Sequence, residues 1–262
     1  MYQINLTGQS GVIFGVANDH SIAWGIAQLL SNAGAKIALT FQNERLKSRV
    51  DRLAETLEGA ITLPCDASDD EQIQKVFENA QREFGDISFI VHSIAYASRE
   101  DLSGPFSDTN REGFRLALEI SAFSLLPIVK YGSQLMKNGG SIVTMTFQAS
   151  QKVYPGYNVM GTAKAALEHE VRQLASEFGE RNIRVNAISA GPLDTLAARG
   201  IEGFLDMKKV HAEKAPLKRN ITAAEVAQTA LFLCSDLSSG ITGSIIPVDA
   251  GYHIMAVLPT LS

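Results

Sequence analysis

The stretch Gly11–Gly34, which reads G-V-I-F-G-V-A-N-D-H-S-I-A-W-G-I-A-Q-L-L-S-N-A-G, decides the fold. Its first part, Gly11–Val16, is a short apolar run punctuated by Gly15, which is typical of a buried parallel strand. The run Ser21–Leu30 then has helical spacing, and Gly34 is a natural C-terminal cap. The stretch therefore predicts a strand, a tight loop and a helix.

The same alternation of strand and helix continues to the end of the chain. Further strands are predicted at Lys36–Phe41, Ile61–Leu63, Ile87–His92, Ser141–Thr146, Arg184–Ile188 and Ser244–Asp249. Helices are predicted at Asn43–Leu57, after a Ser68-x-x-Glu71 capping box, after Thr109, within Tyr154–Phe178, and from a Thr222-x-x-Glu225 capping box to Leu233. This pattern produces right-handed crossovers and a parallel sheet that helices cover on both faces. We predict one doubly wound α/β domain over residues 1–262, which binds ligands at the carboxyl ends of its strands.

Composition narrows the class of protein. The 262 residues are 45% hydrophobic and 19% charged, which is typical of a soluble globular protein. The net charge of −5 comes with no dense basic run, which argues against nucleic acid as a partner. The start lacks a signal peptide, and no apolar run reaches about 18 residues, so no membrane association is predicted. Cys65 and Cys234 lack metal-like spacing and no His pair is spaced for a metal, so we predict no metal site and a cytoplasmic location.

The stretch Tyr154–Phe178 carries the residues best suited to catalysis. Tyr157 and Lys164 stand seven apart, about two helical turns, so their side chains are expected to leave nearly the same face. A phenol can give a proton there, and a nearby ammonium can hold it acidic. The alternative is a surface tyrosine and a surface lysine that merely fall in phase.

Several strand ends carry residues that could bind a dinucleotide. The loop after the first strand contains Gly15 and Ser21, where a pyrophosphate would meet backbone N–H groups and a helix dipole. An ordinary loop with a serine cap is the alternative. The second strand ends at the neutral Gln42, which leaves the cofactor ambiguous. Asp66 could reach an adenine edge, or it could be a turn aspartate.

Together these residues resemble the short-chain dehydrogenase/reductase superfamily, and within it the bacterial enoyl-[acyl-carrier-protein] reductases of fatty-acid synthesis. The resemblance covers nearly the whole chain and rests on G-V-A-x-x-x-S-I-A from Gly15, Y-N-V-M-G-x-A-K from Tyr157, R-V-N-A-I-S-A-G-P from Arg184 and F-L-C-S-D-L-S-x-G-I-T-G from Phe232. Most members of the superfamily have Y-x-x-x-K, but Met160 stands where that tyrosine would be. The wider spacing from Tyr157 to Lys164 distinguishes enoyl reductases from ketoreductases.

The resemblance implies a Rossmann-like seven-stranded sheet, NADH as cofactor, and Tyr157 and Lys164 as catalytic residues. It implies a cofactor site formed by Gly15, Ser21, Ile22, Gln42, Asp66, Ala67, Ile94, Lys164, Leu193, Thr195 and Ala197. It implies a substrate contact at Ala97, and the apolar candidates for an acyl slot are Tyr96, Phe147, Ile201, Phe204 and Met207. The stretch of about 196–210 could be a lid over the substrate. The implied partners are acyl carrier protein and three further copies of the chain in a homotetramer.

Two departures from the family pattern bear on function. Enoyl reductases commonly carry a second tyrosine after the fifth strand, where this chain has Phe147. The usual basic residue after G-P-[IL] is here Asp194, which removes a positive charge near the phosphates. Two other functions stay open on the sequence, reduction of a carbonyl and non-catalytic dinucleotide sensing. Met160 argues against the first, and the phasing of Tyr157 with Lys164 argues against the second.

Overall fold

The computed structural model describes residues 4–195, 198–201 and 203–256. Within this part of the chain, seven strands form one sheet in which every neighbouring pair is parallel. The strands are β1 (Ser10–Phe14), β2 (Lys36–Phe41), β3 (Ile61–Pro64), β4 (Phe89–His92), β5 (Gly140–Thr146), β6 (Ile183–Ala190) and β7 (Ile245–Val248), in the spatial order β3-β2-β1-β4-β5-β6-β7. The predicted doubly wound α/β fold is confirmed, and no strand end differs from the predicted one by more than two residues.

Helices connect the strands. The α-helices are α1 (Ile22–Asn32), α2 (Glu44–Ala54), α3 (Asp70–Phe84), α4 (Arg111–Leu118), α5 (Leu125–Gly132), α6 (Asn158–Phe178), α7 (Phe204–Lys214) and α8 (Ala223–Cys234). None of the helices in the described ranges is long and apolar enough to cross a membrane. The same ranges contain no group of three His, Cys, Asp or Glu side chains that could hold a metal ion.

Strand β1 shows how the sheet is buried on both faces. Successive side chains of a strand point to opposite faces, and all five residues of β1 are buried. Ile13 packs in a core cluster with α1, α2 and α8. Val12 and Phe14 pack in a second cluster with α3, α5 and α6. Two helical layers therefore enclose the sheet.

The order of the strands reverses at β1, with β2 and β3 on one side and β4 to β7 on the other. Ligands of such sheets bind in the crevice at the carboxyl ends of the strands beside this reversal. The segments that follow β1, β4, β5 and β6 meet at this edge, and they contain most of the site residues that the sequence predicts.

The predicted capping box at Ser68 is wrong. Asp69 is the N-cap of α3, since its carboxylate accepts from the backbone N–H of Glu71 at 2.9 Å and of Gln72 at 3.2 Å. A carboxylate is favoured there by the helix dipole. The Ser68 hydroxyl instead donates to Asp66 Oδ1 at 2.8 Å. The second predicted box, from Thr222, is confirmed with both of its reciprocal hydrogen bonds.

Two further helix predictions need correction. The helix expected after Thr109 is divided by a π-helical turn at Glu119–Phe123 into α4 and α5. Pro127 explains this break, because it has no N–H to donate to the carbonyl four residues earlier. Helix α6 begins at Asn158, so Tyr157 lies just before the helix as its N-cap residue and not on its face.

Candidate active site

Gly15 brings two strand ends into contact. Its φ is +97°, and a Cβ at this position would lie 2.0 Å from the backbone oxygen of Ser93, just after β4. Only glycine avoids both the left-handed strain and this overlap. The loop after β1 therefore lies directly against the segment that follows β4.

Ser21 shapes the loop that leads into α1. Its Oγ accepts from the backbone N–H of Ala17 and of Asn18, both at 3.1 Å. The side chain therefore does not cap α1, and the N–H groups of its first turn, beginning at Ile22, have no side-chain acceptor. Ser21 also lines a cleft of about 530 Å³. Uncapped N–H groups at the start of a helix fit the pyrophosphate of a dinucleotide.

An ion pair lines the same cleft. Leu193, Asp194 and Lys208 line the same cleft as Ser21, and the Lys208 ammonium donates to the Asp194 carboxylate. Lys208 lies on α7, so the pair joins this helix to the segment after β6. Lys208 thus neutralises the negative charge of Asp194, and the pair carries no net charge at the cleft.

The predicted adenosine-side residues lie at the ends of β2 and β3. Gln42 is exposed, and the neighbouring Asn43 caps α2. Asp66 Oδ1 accepts from the N–H and the hydroxyl of Ser68, so this oxygen has the local role of a turn aspartate. Ala67 beside it is half-buried.

The other predicted cofactor residues lie after β4 and β6. Ile94 packs on the second core cluster, and Leu193 packs on the first. Thr195 Oγ1 accepts from the N–H of Ala198 at 3.2 Å. Ala197 lies outside the described residues, as do two other residues of the predicted lid, Leu196 and Glu202.

Tyr157 and Lys164 converge on the carboxyl end of β5. Lys164 is buried, and its Nζ donates to the backbone oxygen of Met145 at 2.9 Å. The Tyr157 ring packs against Phe147, two residues further along, with ring centroids 5.1 Å apart. Residues two apart on an extended chain are separated by roughly 7 Å. The fold thus brings the two predicted catalytic residues to one strand end, although only Lys164 lies on the helix.

Burial shifts the pKa values of both Lys164 and Tyr157. It lowers the pKa of the Lys164 ammonium to about 8, although the negative charge of Glu168 acts to raise it. Burial also raises the pKa of the Tyr157 phenol above its ordinary range. The prediction that Lys164 holds the phenol acidic is therefore wrong, because removal from water outweighs any help from the cation. A phenol that keeps its proton at neutral pH remains a hydrogen-bond donor.

Phe147 is held between two tyrosines. Its ring centroid lies 4.8 Å from that of Tyr154 and 5.1 Å from that of Tyr157. The Tyr154 hydroxyl donates to Gln148 Oε1 at 2.6 Å, and the Thr146 hydroxyl donates to Glu168 at 2.9 Å. The neighbours of Phe147 are therefore engaged in hydrogen bonds of their own.

A small apolar cluster flanks Tyr157. Leu102, Met160 and Ala163 form its buried part, and Ala97 packs against it together with Tyr157. Tyr96 is half exposed, and its backbone is held by the Ser121 hydroxyl. The remaining slot candidates belong to the predicted lid and are half-buried outside this cluster: Ile201, Phe204 and Met207.

Sequence reasoning missed four residues around the site. Asn158 follows Tyr157 with φ +34° and donates from Nδ2 to the backbone oxygen of Gly104 at 3.2 Å, which fixes the start of α6. For Lys208 and Tyr154, no neighbouring residue or spacing in the sequence indicates a place in the site. Glu168 did carry one, since it lies four residues after Lys164, at helical spacing along the buried side of α6.

Comparison with known proteins agrees with this geometry. A family model described as enoyl-(acyl carrier protein) reductase matches residues 15–253. A curated NADH enoyl-[acyl-carrier-protein] reductase of Bacillus cereus is 50% identical over 252 residues, which cover 95% of this chain and 98% of the relative.

Two solved structures share the fold. The enoyl-acyl carrier protein reductase of Bacillus cereus, solved with NADP+ and indole naphthyridinone, superposes with a TM-score of 0.95 at 48% identity, covering 98% of this chain and 100% of the other. The reductase of Anaplasma phagocytophilum in complex with NAD gives a TM-score of 0.94 at 44% identity, with 99% of each chain covered. A match over almost the whole length, at about half identity, shows that this chain belongs to the enoyl-(acyl carrier protein) reductase family.

Proposed function

We propose that this protein is an NADH-dependent enoyl-[acyl-carrier-protein] reductase, which reduces the trans-2 double bond of enoyl thioesters during fatty-acid elongation. The observation that carries the proposal is the convergence of the Tyr157 phenol and the Lys164 ammonium on the end of β5. The function of the Bacillus cereus relative, an NADH enoyl-[acyl-carrier-protein] reductase, supports it, as do those of further relatives at 45–48% identity.

When bound, NADH would supply a hydride to the β-carbon of the enoyl chain, and a proton added to the α-carbon would complete the reduction. Tyr157 donates its hydroxyl proton in a hydrogen bond to the thioester oxygen, where negative charge develops. One such donor is worth roughly 3–4 kcal/mol in the transition state. The raised pKa of the phenol suits this role, because Tyr157 stays protonated while it donates. The Phe147 ring packs against the Tyr157 ring and would shield the hydrogen bond from Tyr157 to the thioester oxygen from water.

The remaining polar groups would hold and orient the cofactor. Lys164, whose ammonium donates to the Met145 oxygen, would use a further N–H on the nicotinamide ribose, and the uncapped start of α1 beyond Ser21 would receive the pyrophosphate. Both hydrogen bonds from Ser68 to Asp66 end on Oδ1. The other carboxylate oxygen, Oδ2, could therefore accept from the adenine. Gln42 is neutral and exposed, so it offers the ribose a hydrogen bond without a cation for a 2′-phosphate, and NADH is preferred over NADPH.

The substrate reaches Tyr157 past Ala97, and the acyl chain lies among the apolar side chains of the predicted lid. Acyl carrier protein delivers the chain. The enzyme acts as a homotetramer in the cytoplasm. The tetramer is supported by edge strand β7, whose Pro247 is exposed, and by Ile254, which is 68% exposed. The cytoplasm is supported by Cys65 and Cys234, which are both free and buried.

The test is a comparison of two thioesters with NADH. We expect rapid oxidation of NADH with a trans-2-enoyl thioester and little or none with the matching 3-ketoacyl thioester. A preference for the ketoacyl thioester would replace the proposal with a ketoreductase, against the argument from Met160. Tight NADH binding without turnover of either thioester would favour a dinucleotide sensor.

A further inference from the structure

A buried carboxylate lies four residues after Lys164. Glu168 is only 4% exposed, and its Oε1 accepts from Thr146 Oγ1 at 2.9 Å and from Ser150 Oγ at 2.5 Å. Thr146 ends β5, and Ser150 ends the short 3-10 turn Gln148–Ser150 that follows. Glu168 therefore ties α6 to both ends of the segment that carries Phe147.

Glu168 lies one helical turn after Lys164, and the Lys164 ammonium makes its hydrogen bond to the backbone oxygen of Met145 and not to this carboxylate. Side chains four apart on a helix lie next to each other, and the charge of Glu168 acts on Lys164. Lys164 donates to the backbone oxygen of Met145, the residue before Thr146. Lys164 and Glu168 are therefore hydrogen-bonded to adjacent residues of β5. A buried ammonium without a nearby anion is costly and tends to lose its proton.

Two other buried titratable groups of the site, His92 and Tyr157, do not change charge near neutral pH. Burial, together with the positive charge of Lys164, lowers the pKa of the His92 imidazole on β4 to about 3. Its ring nitrogens contact the hydroxyls of Thr144 and Ser124. Tyr157 stays protonated because burial raises the pKa of its phenol. Lys164 is thus the member of this group whose charge changes just above neutral pH.

We propose that Glu168 is a positioning residue for the reduction, which keeps Lys164 cationic for the cofactor ribose and holds the Phe147 turn against Tyr157. The proposal rests on the ribose-binding role of Lys164 given above. Glu168 touches neither substrate nor reacting atoms, and it acts through its neighbours on α6 and β5.

The discriminating variant is Glu168→Gln, which keeps the size and one carbonyl acceptor for Thr146 and Ser150 but removes the charge. The readout is the NADH dissociation constant, measured by fluorescence titration from pH 6 to pH 9. Loss of the anion lowers the pKa of Lys164, so the ammonium disappears at lower pH. We expect NADH binding near the wild-type value at pH 6, and a loss of affinity whose midpoint moves down by roughly one pH unit or more.

Glu168→Asp is the matched control, because it keeps the charge and shortens the reach. We expect it to leave the midpoint unshifted while turnover falls through the looser turn. Weaker binding by Glu168→Gln at every pH, with the wild-type midpoint, would mean a structural role only and would overturn the proposal. An equal downward shift in Glu168→Asp would overturn it as well, and this outcome can still be observed if the Gln variant does not fold. Failure of wild-type protein to reduce an enoyl thioester would instead overturn the proposed function, which these binding titrations do not measure.

Discussion

Substitution of Gly15 by alanine tests whether the loop after β1 is built on close contact with the segment after β4. A positive φ costs an alanine roughly 1–3 kcal/mol. The new Cβ would also lie 2.0 Å from the Ser93 backbone oxygen, so one of the two segments must move. Overpacking of this kind costs roughly 1–3 kcal/mol more. We therefore expect Gly15→Ala to reduce the free energy of unfolding by about 2–6 kcal/mol.

Gly59→Ala is the matched control. Gly59 has φ +65° in the exposed turn between α2 and β3, and nothing lies within 4 Å of a Cβ there. This variant suffers the backbone strain alone, about 1–2 kcal/mol. Thermal melting at one protomer concentration measures the difference, which we expect to be roughly 1–3 kcal/mol or about 2–12 °C. Equal melting temperatures for the two variants would refute the close-contact account.

Four further outcomes follow from the site. Phe147→Tyr adds one hydroxyl beside Tyr157, and we expect kcat to change by less than about tenfold, whereas a gain of several orders of magnitude would mean that the natural protein had lost its activity. Because Gln42 offers no cation, kcat/KM is expected to be higher with NADH than with NADPH, and the reverse order would contradict this. Lys208→Ala leaves Asp194 unpaired at the cleft and is expected to raise the NADH dissociation constant roughly three- to tenfold, and the double variant with Asp194→Ala should recover most of that loss. Sedimentation at micromolar protein is expected to show a tetramer, and a monomer would remove that proposal.

The fold could be predicted from the sequence because its signal is local. Each strand of the sheet is a short apolar run between turn residues, as Lys36–Phe41 shows, where predicted and observed bounds coincide. Helix starts were less certain, because Ser68 and Asp69 are both good caps and only the three-dimensional position of each oxygen decides between them. The π-helical turn depends on Pro127, whose effect falls one turn earlier in the chain.

The site divides in the same way. Tyr157 and Lys164 could be found because both belong to one stretch of chain. The pairing of Asp194 with Lys208 could not, since it joins two elements 14 residues apart through the tertiary fold. The direction in which the pKa of Tyr157 shifts could not be predicted from the sequence either, because it depends on how deeply the fold buries the phenol. Ala197 lies outside the described ranges, so its place in the cofactor site stays a prediction.

The central claim is that Tyr157 stabilises the charge that develops on the enoyl thioester while Lys164 holds the cofactor. The most direct measurement compares kcat for a trans-2-enoyl thioester and the NADH dissociation constant in wild type, Tyr157→Phe and Lys164→Ala. We predict that Tyr157→Phe lowers kcat by roughly a hundredfold or more and leaves NADH binding nearly unchanged. Lys164→Ala should weaken NADH binding as well. Wild-type turnover by Tyr157→Phe would contradict the account.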